Sequence, residues 1–227
     1  MTADEYRELM ETELGWRQEE FAFFKNQLND LPERQRDRYR KGLVMILREH
    51  LQGYLSICLQ TYVQYINGQQ LTGKEVSLQF LAAGMRKAAK DASSQLPVTD
   101  DFYRFYQQVN WLEEAESLKG QTLKLDDSLF DLIDPIDPMC GCGYQNLQKN
   151  LYRIGLPLDL FDAYQNDLDA FISHSSGIAR GIFRAGVTQQ ELEYWESIAS
   201  GIASGVMMQL YNYVKYEKYL MRNHDTY

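Results

Sequence analysis

The sequence predicts an all-α protein, an antiparallel bundle of long helices with one irregular loop near its middle. Apolar residues recur every three or four positions along most of the chain, which is the spacing of one helix face. Alternating apolar and polar runs are scarce, and the best strand candidate, residues 121–125, is short and isolated. At 227 residues with 44% hydrophobic side chains, the chain can close a core of its own.

The first half of the chain is expected to form helices over residues 1–117. Thr2 followed by Glu5 fits a capping box, in which each side chain satisfies a free backbone N–H of the other residue. A longer stripe then predicts a helix of about seven turns. Its members are Leu43, Leu47, Leu51, Tyr54, Cys58, Tyr62 and Tyr65.

An acidic loop is expected over residues 118–143. Pro135 and Pro138 remove backbone donors and push the residues before them out of the helical region. Neither flanking half has enough separate stripes to close a core alone, so the loop joins two parts of one domain, residues 1–227.

The second half, residues 144–227, is expected to hold two further apolar stripes on helices. The stripe residues are Leu160, Phe161, Tyr164, Leu168, Phe171 and Ile172, then Leu192, Trp195, Ile198, Ile202, Val206, Leu210 and Tyr213. Thr188 and Glu191 form a second capping-box pair. Gly201 and Gly205 indicate a close approach of the last helix, either to a helix of the same chain or across a homodimer seam.

The net charge of −9 is distributed unevenly. Residues 1–32 hold three basic and eight acidic side chains, and residues 100–137 hold three and ten. Residues 33–99 hold ten basic and five acidic side chains. Because the acidic excess is confined to blocks, a local surface for a nucleic-acid partner remains compatible with the composition.

Composition also excludes several classes of protein. Three cysteines, of which only Cys140 and Cys142 lie close together, do not form a disulfide framework or a four-ligand zinc site. No run of eighteen apolar residues predicts a membrane span, and the acidic first residues do not resemble a secretory signal. We therefore expect a cytoplasmic protein without metal or cofactor. Phosphate-loop, nucleophile-elbow and dinucleotide motifs are also missing.

From residue 143 to about 215 the order of residues resembles the C-terminal half of a HEPN domain (higher eukaryotes and prokaryotes nucleotide-binding). The matching segments are 147–157 (LQKNLYRIGLP), Phe161, 168–172 (LDAFI), 178–181 (IARG) and Val187. The similarity is to the stand-alone bacterial branch, in which a helix ends in Arg-Asn-x-Ile-Ala-His-Gly. It implies an all-α bundle that dimerises with two motifs facing each other. Many members are metal-independent endoribonucleases of toxin–antitoxin or antiviral defence systems.

The motif in this chain departs from the family pattern. Ser175 and Ser176 stand where the family has Arg and Asn, and Arg180 stands where it has the catalytic His. A histidine occurs just before the motif, at His174, so the two residue types are present in inverted order.

The resemblance implies a site of His174, Arg180, Ser175 and Ser176. Histidine can move a proton near neutral pH, whereas arginine stays charged and can hold a phosphate. If the site is catalytic, His174 is the proton-transfer group, Arg180 the phosphate clamp and the two serines are polar supports. Positions six apart on a helix differ by about 240° in direction, so the inversion does not preserve the geometry unless Gly177 or a dimer cleft compensates.

A basic segment at the start of the long second helix is a candidate RNA-binding surface. Cations there oppose the helix dipole, which makes phosphate contact a plausible reason for them. We expect Arg34, Arg36, Arg38, Arg40 and Lys41 to act with Arg184 if the two regions meet in the fold. The alternative is a solvated helix face in which Glu33 and Asp37 are the partners of the cations.

Two functional hypotheses remain open. The first is a dimeric HEPN-like protein that targets RNA in a prokaryotic defence or toxin–antitoxin system and cleaves it without metal. The second is a catalytically inactive HEPN subunit that binds RNA or a protein partner encoded nearby.

Overall fold

A computed structural model of the chain describes residues 1–84, 101–126 and 143–221, and for residues 101–108 it describes the backbone alone. Within these ranges the regular structure is helical, which confirms the predicted all-α fold. The helices are α1 (Ala3–Asn26), α2 (Glu33–Gly68), α3 (Leu78–Gly84), α4 (Asp101–Lys119), α5 (Tyr144–Arg153), α6 (Gln165–Ala179) and α7 (Gln189–Lys215). Short 3₁₀ turns, Gln27–Asp30 and Asp162–Tyr164, precede α2 and α6.

Both predicted capping boxes are present. The Glu5 N–H donates to Thr2 Oγ1 at 3.2 Å, and the Thr2 N–H donates to the Glu5 carboxylate at 2.6 Å. Thr188 and Glu191 make the same reciprocal pair at the start of α7. At 36 residues α2 is longer than its apolar stripe predicted, because the stripe begins only after the basic segment.

The long helices α1, α2 and α7 form the centre of the bundle. Tyr54 Oη donates to the Met10 carbonyl at 3.3 Å across α1 and α2, which run antiparallel. Lys25 at the end of α1 contacts Glu196 near the start of α7 at 2.6 Å, so α1 is antiparallel to α7 as well. α2 and α7 therefore run in the same direction, and both begin at one end of the bundle. We call this end, where α6 also terminates, the motif end.

Gly201 and Gly205 serve packing within the chain. A Cβ atom at Gly201 would lie 2.8 Å from the Tyr164 hydroxyl, and one at Gly205 would lie 2.9 Å from the ring of Phe161. Both rings belong to the segment just before α6. The sequence had predicted this segment as part of a helix, because its residues belong to the second apolar stripe. The close neighbour of α7 is therefore a pair of aromatic rings and not the backbone of another helix.

The strand candidate at residues 121–125 contains one isolated bridge in the described chain, from Thr122 to Thr72. The Leu123 N–H donates to the Leu71 carbonyl at 2.8 Å beside it. Residues 127–142 of the predicted acidic loop, which include Cys140 and Cys142, lie outside the described residues. Cys58 is buried and has a free thiol. None of the described helices combines the length and apolar character of a membrane span, and the described residues contain no cluster of metal-binding side chains.

Candidate nucleic-acid interface

The motif helix α6 ends in a Schellman turn. Gly181 has a φ of +71°, a left-handed conformation that favours glycine, and its N–H donates to the Ile178 carbonyl at 3.0 Å. The Ile182 N–H donates to the Gly177 carbonyl at 2.9 Å. The Gly at the end of the motif therefore has a structural role, which is to stop the helix and turn the chain toward α2.

His174 is half-buried on the side of α6 that faces α7. Its ring stacks on Phe183 with the centroids 5.0 Å apart, and the ring of Trp195 lies 6.0 Å away. Its Nε2 atom is buried and has no hydrogen-bond partner in the described chain. Glu191 is close enough for His174 to influence it, although hydrogen bonds from Thr188 are the main cause that holds the pKa of Glu191 below its ordinary value.

Phe183 can cover His174 because residue 177 is glycine. A Cβ atom at Gly177 would lie 2.2 Å from both Cδ2 and Cε2 of the Phe183 ring, a distance that real atoms do not tolerate. The Phe183 N–H also donates to the Gly177 carbonyl at 3.1 Å. The ring thus lies directly on the helix backbone and closes one side of the imidazole.

Arg180 and Ser176 border a cavity of about 600 Å³ on another face of α6. The N-terminal residues of α5 form its opposite wall. Its other lining residues are Gly143, Gln145, Asn146, Asp169, Ile172, Ser173, Gly177, Ile182 and Phe183. His174 is not among them, so Phe183 is the side chain that touches both the imidazole and the cavity.

Ser175 lies in the core with no exposed surface. Its hydroxyl donates to the Ile172 carbonyl at 3.0 Å, within its own helix. A side chain in this position packs and does not reach the cavity. The arginine that the family has here would point into the apolar interior of this chain.

The loop after α6 is attached to the start of α2. The Val187 N–H donates to the Asp37 carbonyl at 3.0 Å, and Lys41 Nζ donates to the Phe183 carbonyl at 2.6 Å. A Cβ atom at Gly186 would lie 2.4 Å from the Asp37 Cβ, so the two backbones are in direct contact. The segment with Arg34 to Lys41 and the segment with Arg184 therefore meet at the motif end.

Of the six predicted RNA-binding cations, Arg36, Arg40 and Lys41 bond within the protein, and the other three are exposed. Arg36 donates to the Leu31 carbonyl at 3.0 Å, and Arg40 pairs with Asp37 at 2.5 Å with 11% of its side chain exposed. Both border a second cavity of about 600 Å³ between α1, α2 and α7. Three members of the set point outward: Arg34, Arg38 and Arg184 are exposed.

A family model, MAE_28990-like HEPN, matches residues 6–219. The chain belongs to the HEPN family. No curated protein and no solved structure matches it. The match extends through α1 and α2, which the sequence resemblance had left outside its range. In this HEPN protein α6 ends in a Schellman turn at Gly181, and Ser175 and Arg180 stand where the branch that the sequence resembles has Arg and His.

The altered motif changes what the site can do chemically. The His174 imidazole stacks on Phe183 and does not line the cavity, whereas Arg180 is exposed beside it. Proton transfer by Nε2 of His174 would require this buried atom to become accessible. The Arg180 side chain is already exposed, so phosphate contact by its guanidinium requires no such change.

Sequence reasoning pointed to His174 and Arg180 but not to Phe183, which stacks on His174, or to Asp169, which lines the cavity. Gly177 offered one signal, since a helix-interior glycine indicates a close neighbour. No sequence pattern indicated that the neighbour is the ring six positions later.

Proposed function

We propose that this HEPN protein binds single-stranded RNA at the motif end. The observation that supports the proposal most is the direct contact between the basic start of α2 and the loop that carries Arg184. This contact gathers cations from positions about 150 apart in the sequence around the end of α6. RNA backbone is the polyanion that such a surface fits.

Three exposed guanidinium groups, those of Arg34, Arg38 and Arg184, are the proposed backbone contacts. Arginine offers a planar fork of donors that matches phosphate oxygens. The N-terminus of α2 adds to this potential, because its N-cap is Pro32 and no side chain caps its free N–H groups. Arg180, at the end of α6, completes the surface beside the cavity.

Binding without cleavage is the activity that the geometry favours. His174 is stacked on Phe183 outside the cavity lining, and its Nε2 is buried without a hydrogen-bond partner in the described chain. The groups that reach the surface are arginines, which cannot exchange a proton near neutral pH. Of the two hypotheses, the inactive HEPN subunit that binds RNA is therefore the one we adopt.

The biological setting is proposed from the family alone. Many HEPN proteins are dimers in prokaryotic defence or toxin–antitoxin systems, and we propose the same cytoplasmic setting here. A protein partner encoded nearby fits a subunit that binds RNA and leaves cleavage to another chain.

Fluorescence anisotropy with a labelled single-stranded RNA tests the binding proposal. The variant Arg34→Gln with Arg38→Gln and Arg184→Gln removes the three exposed cations. We expect the affinity to fall at least tenfold, and the slope of log affinity against log salt to decrease by about 2, since each lost phosphate contact contributes roughly 0.7.

A charge-matched control removes Arg7, Lys215 and Lys218, which lie at the opposite end of the bundle. Arg7 and Lys215 both contact the ring of Tyr211 there. An equal loss of affinity in the control would mean that net charge governs binding, and the proposed surface would be abandoned. Unchanged affinity in the motif-end variant would also overturn the proposed surface.

A cleavage assay separates the two hypotheses. Wild-type protein with excess chelator and RNA is expected to leave the RNA intact. If RNA is cut and His174→Ala abolishes the cutting, the catalytic hypothesis replaces the binding one.

A further inference from the structure

The cavity beside α6 has two unlike walls. One wall is apolar and includes Phe183 and Ile182, of which 42% and 66% are exposed. The other is polar and includes Gln145, Ser173 and Asp169. At about 600 Å³ the cavity lies within the range of small-molecule sites, roughly 300–1,000 Å³.

The apolar wall suits a flat aromatic ligand. Unstacked RNA bases are commonly held by stacking on an aromatic side chain. Phe183 is itself held by its ring contact with His174 and by its backbone bonds to Gly177 and Lys41. A ring fixed in this way loses little freedom when a base stacks on it.

The polar wall contains a carboxylate in a fixed position. The Tyr144 N–H, at the start of α5, donates to Asp169 Oδ1 at 2.9 Å. An ionised carboxylate has about four lone-pair sites, so Asp169 can accept further hydrogen bonds from a ligand. Among the described lining residues Asp169 is the one carboxylate, and it faces a cavity whose rim holds Arg180.

We propose that this cavity receives one unstacked base of the bound RNA and that Asp169 selects guanine. Guanine presents N1–H and N2–H₂ side by side, which gives a carboxylate two donors at once. Adenine and cytosine present one amino group, and uracil presents one N–H. Arg180 would hold the adjoining phosphate. The proposal rests on the proposed function, because it names the base that the RNA surface reads.

The test uses five-nucleotide uridine strands whose central position is guanine, inosine, adenine, cytosine or uracil. For the wild type we expect guanine to bind roughly tenfold more tightly than uracil, within the range of a good two-donor contact. Inosine keeps N1–H and lacks the N2 amino group, so its affinity is expected between the two.

Asp169→Asn keeps an oxygen for the Tyr144 N–H and replaces the second acceptor by an amide. It is expected to bind guanine and uracil strands within about twofold of each other, a loss of the discrimination that the two-donor contact provides. Asp167→Asn is the matched control, since Asp167 lies one half-turn earlier and bonds to the Tyr194 hydroxyl outside the cavity. The control should retain the preference. Phe183→Leu should weaken the binding of every strand.

A titration with guanosine and uridine monophosphates keeps the base proposal separate from RNA binding. Tighter binding of the guanine nucleotide that is lost in Asp169→Asn supports the cavity even if the RNA surface fails. Equal binding of both nucleotides overturns guanine selection even if RNA binds. RNA that binds the wild type and Asp169→Asn with the same base preference also overturns it.

Discussion

Replacement of Gly177 by alanine is the sharpest test of the arrangement around His174. The new Cβ would lie 2.2 Å from two carbons of the Phe183 ring, so the ring must leave the helix surface. Phe183 is 42% exposed, and its departure returns about 100 Å² of apolar surface to water. At about 25 cal/mol per Å² this costs about 2.5 kcal/mol.

The same substitution also has a favourable effect. Alanine is about 1 kcal/mol better than glycine in a helix interior. The net loss is therefore about 1–2 kcal/mol, and we expect the Tm to fall by about 3–6 °C for a chain of this size. Gly42→Ala is the matched control on α2, because nothing lies within 4 Å of its added Cβ. The Tm of that variant should rise by about 2 °C.

Histidine modification provides the second readout. Once Phe183 has left, His174 should react severalfold faster with diethyl pyrocarbonate, as measured by peptide mass spectrometry. His50 should not change, because Glu20 and Trp16 cover it elsewhere. A Tm that rises as in Gly42→Ala, with His174 still protected, would refute the reasoning about Phe183.

Three further outcomes are expected. Ser175→Arg should prevent folding or cost several kcal/mol, since it puts a charge into the core, whereas Ser175→Ala should cost about 1 kcal/mol; chemical denaturation measures both. Gly186→Ala should lower the Tm and weaken RNA binding, because its Cβ would collide with Asp37. The lowered pKa of Glu191 adds stability above the ordinary carboxyl pKa of about 4.3 that is lost as the pH falls, so Glu191→Gln should show a shallower fall of Tm between pH 6 and pH 3.

The helices were predictable because their signals are local. Capping boxes at Thr2 and Thr188 involve residues three positions apart, and the stripe on α2 repeats along one face. The segment from Leu160 to Tyr164 shows the limit. Its aromatic spacing suits a helix, but the rings instead fill the spaces left by Gly201 and Gly205. Tertiary packing determines the conformation of this segment, and the spacing of apolar residues does not reveal such packing.

The sequence indicated which residue types lie near the candidate site but not how they are arranged. The resemblance pointed to His174 and Arg180, yet only the fold shows that Phe183 stacks on one and lines the cavity with the other. Helix geometry places Arg36 and Arg38 about 200° apart, but the sequence did not show which of the two faces the bundle. One bonds to the turn before the helix and the other faces solvent. Such choices depend on neighbours that are distant in sequence.

The contact between Lys41 and Phe183 joins residues 142 positions apart, and this has a consequence for protein synthesis. The start of α2 leaves the ribosome before α6 and the loop that completes the basic surface. A nascent chain that stops before Val187 therefore has the arginines of α2 without the loop that lies against them. The proposed RNA surface can form only after Val187 has been synthesised, so a shorter nascent chain does not present it.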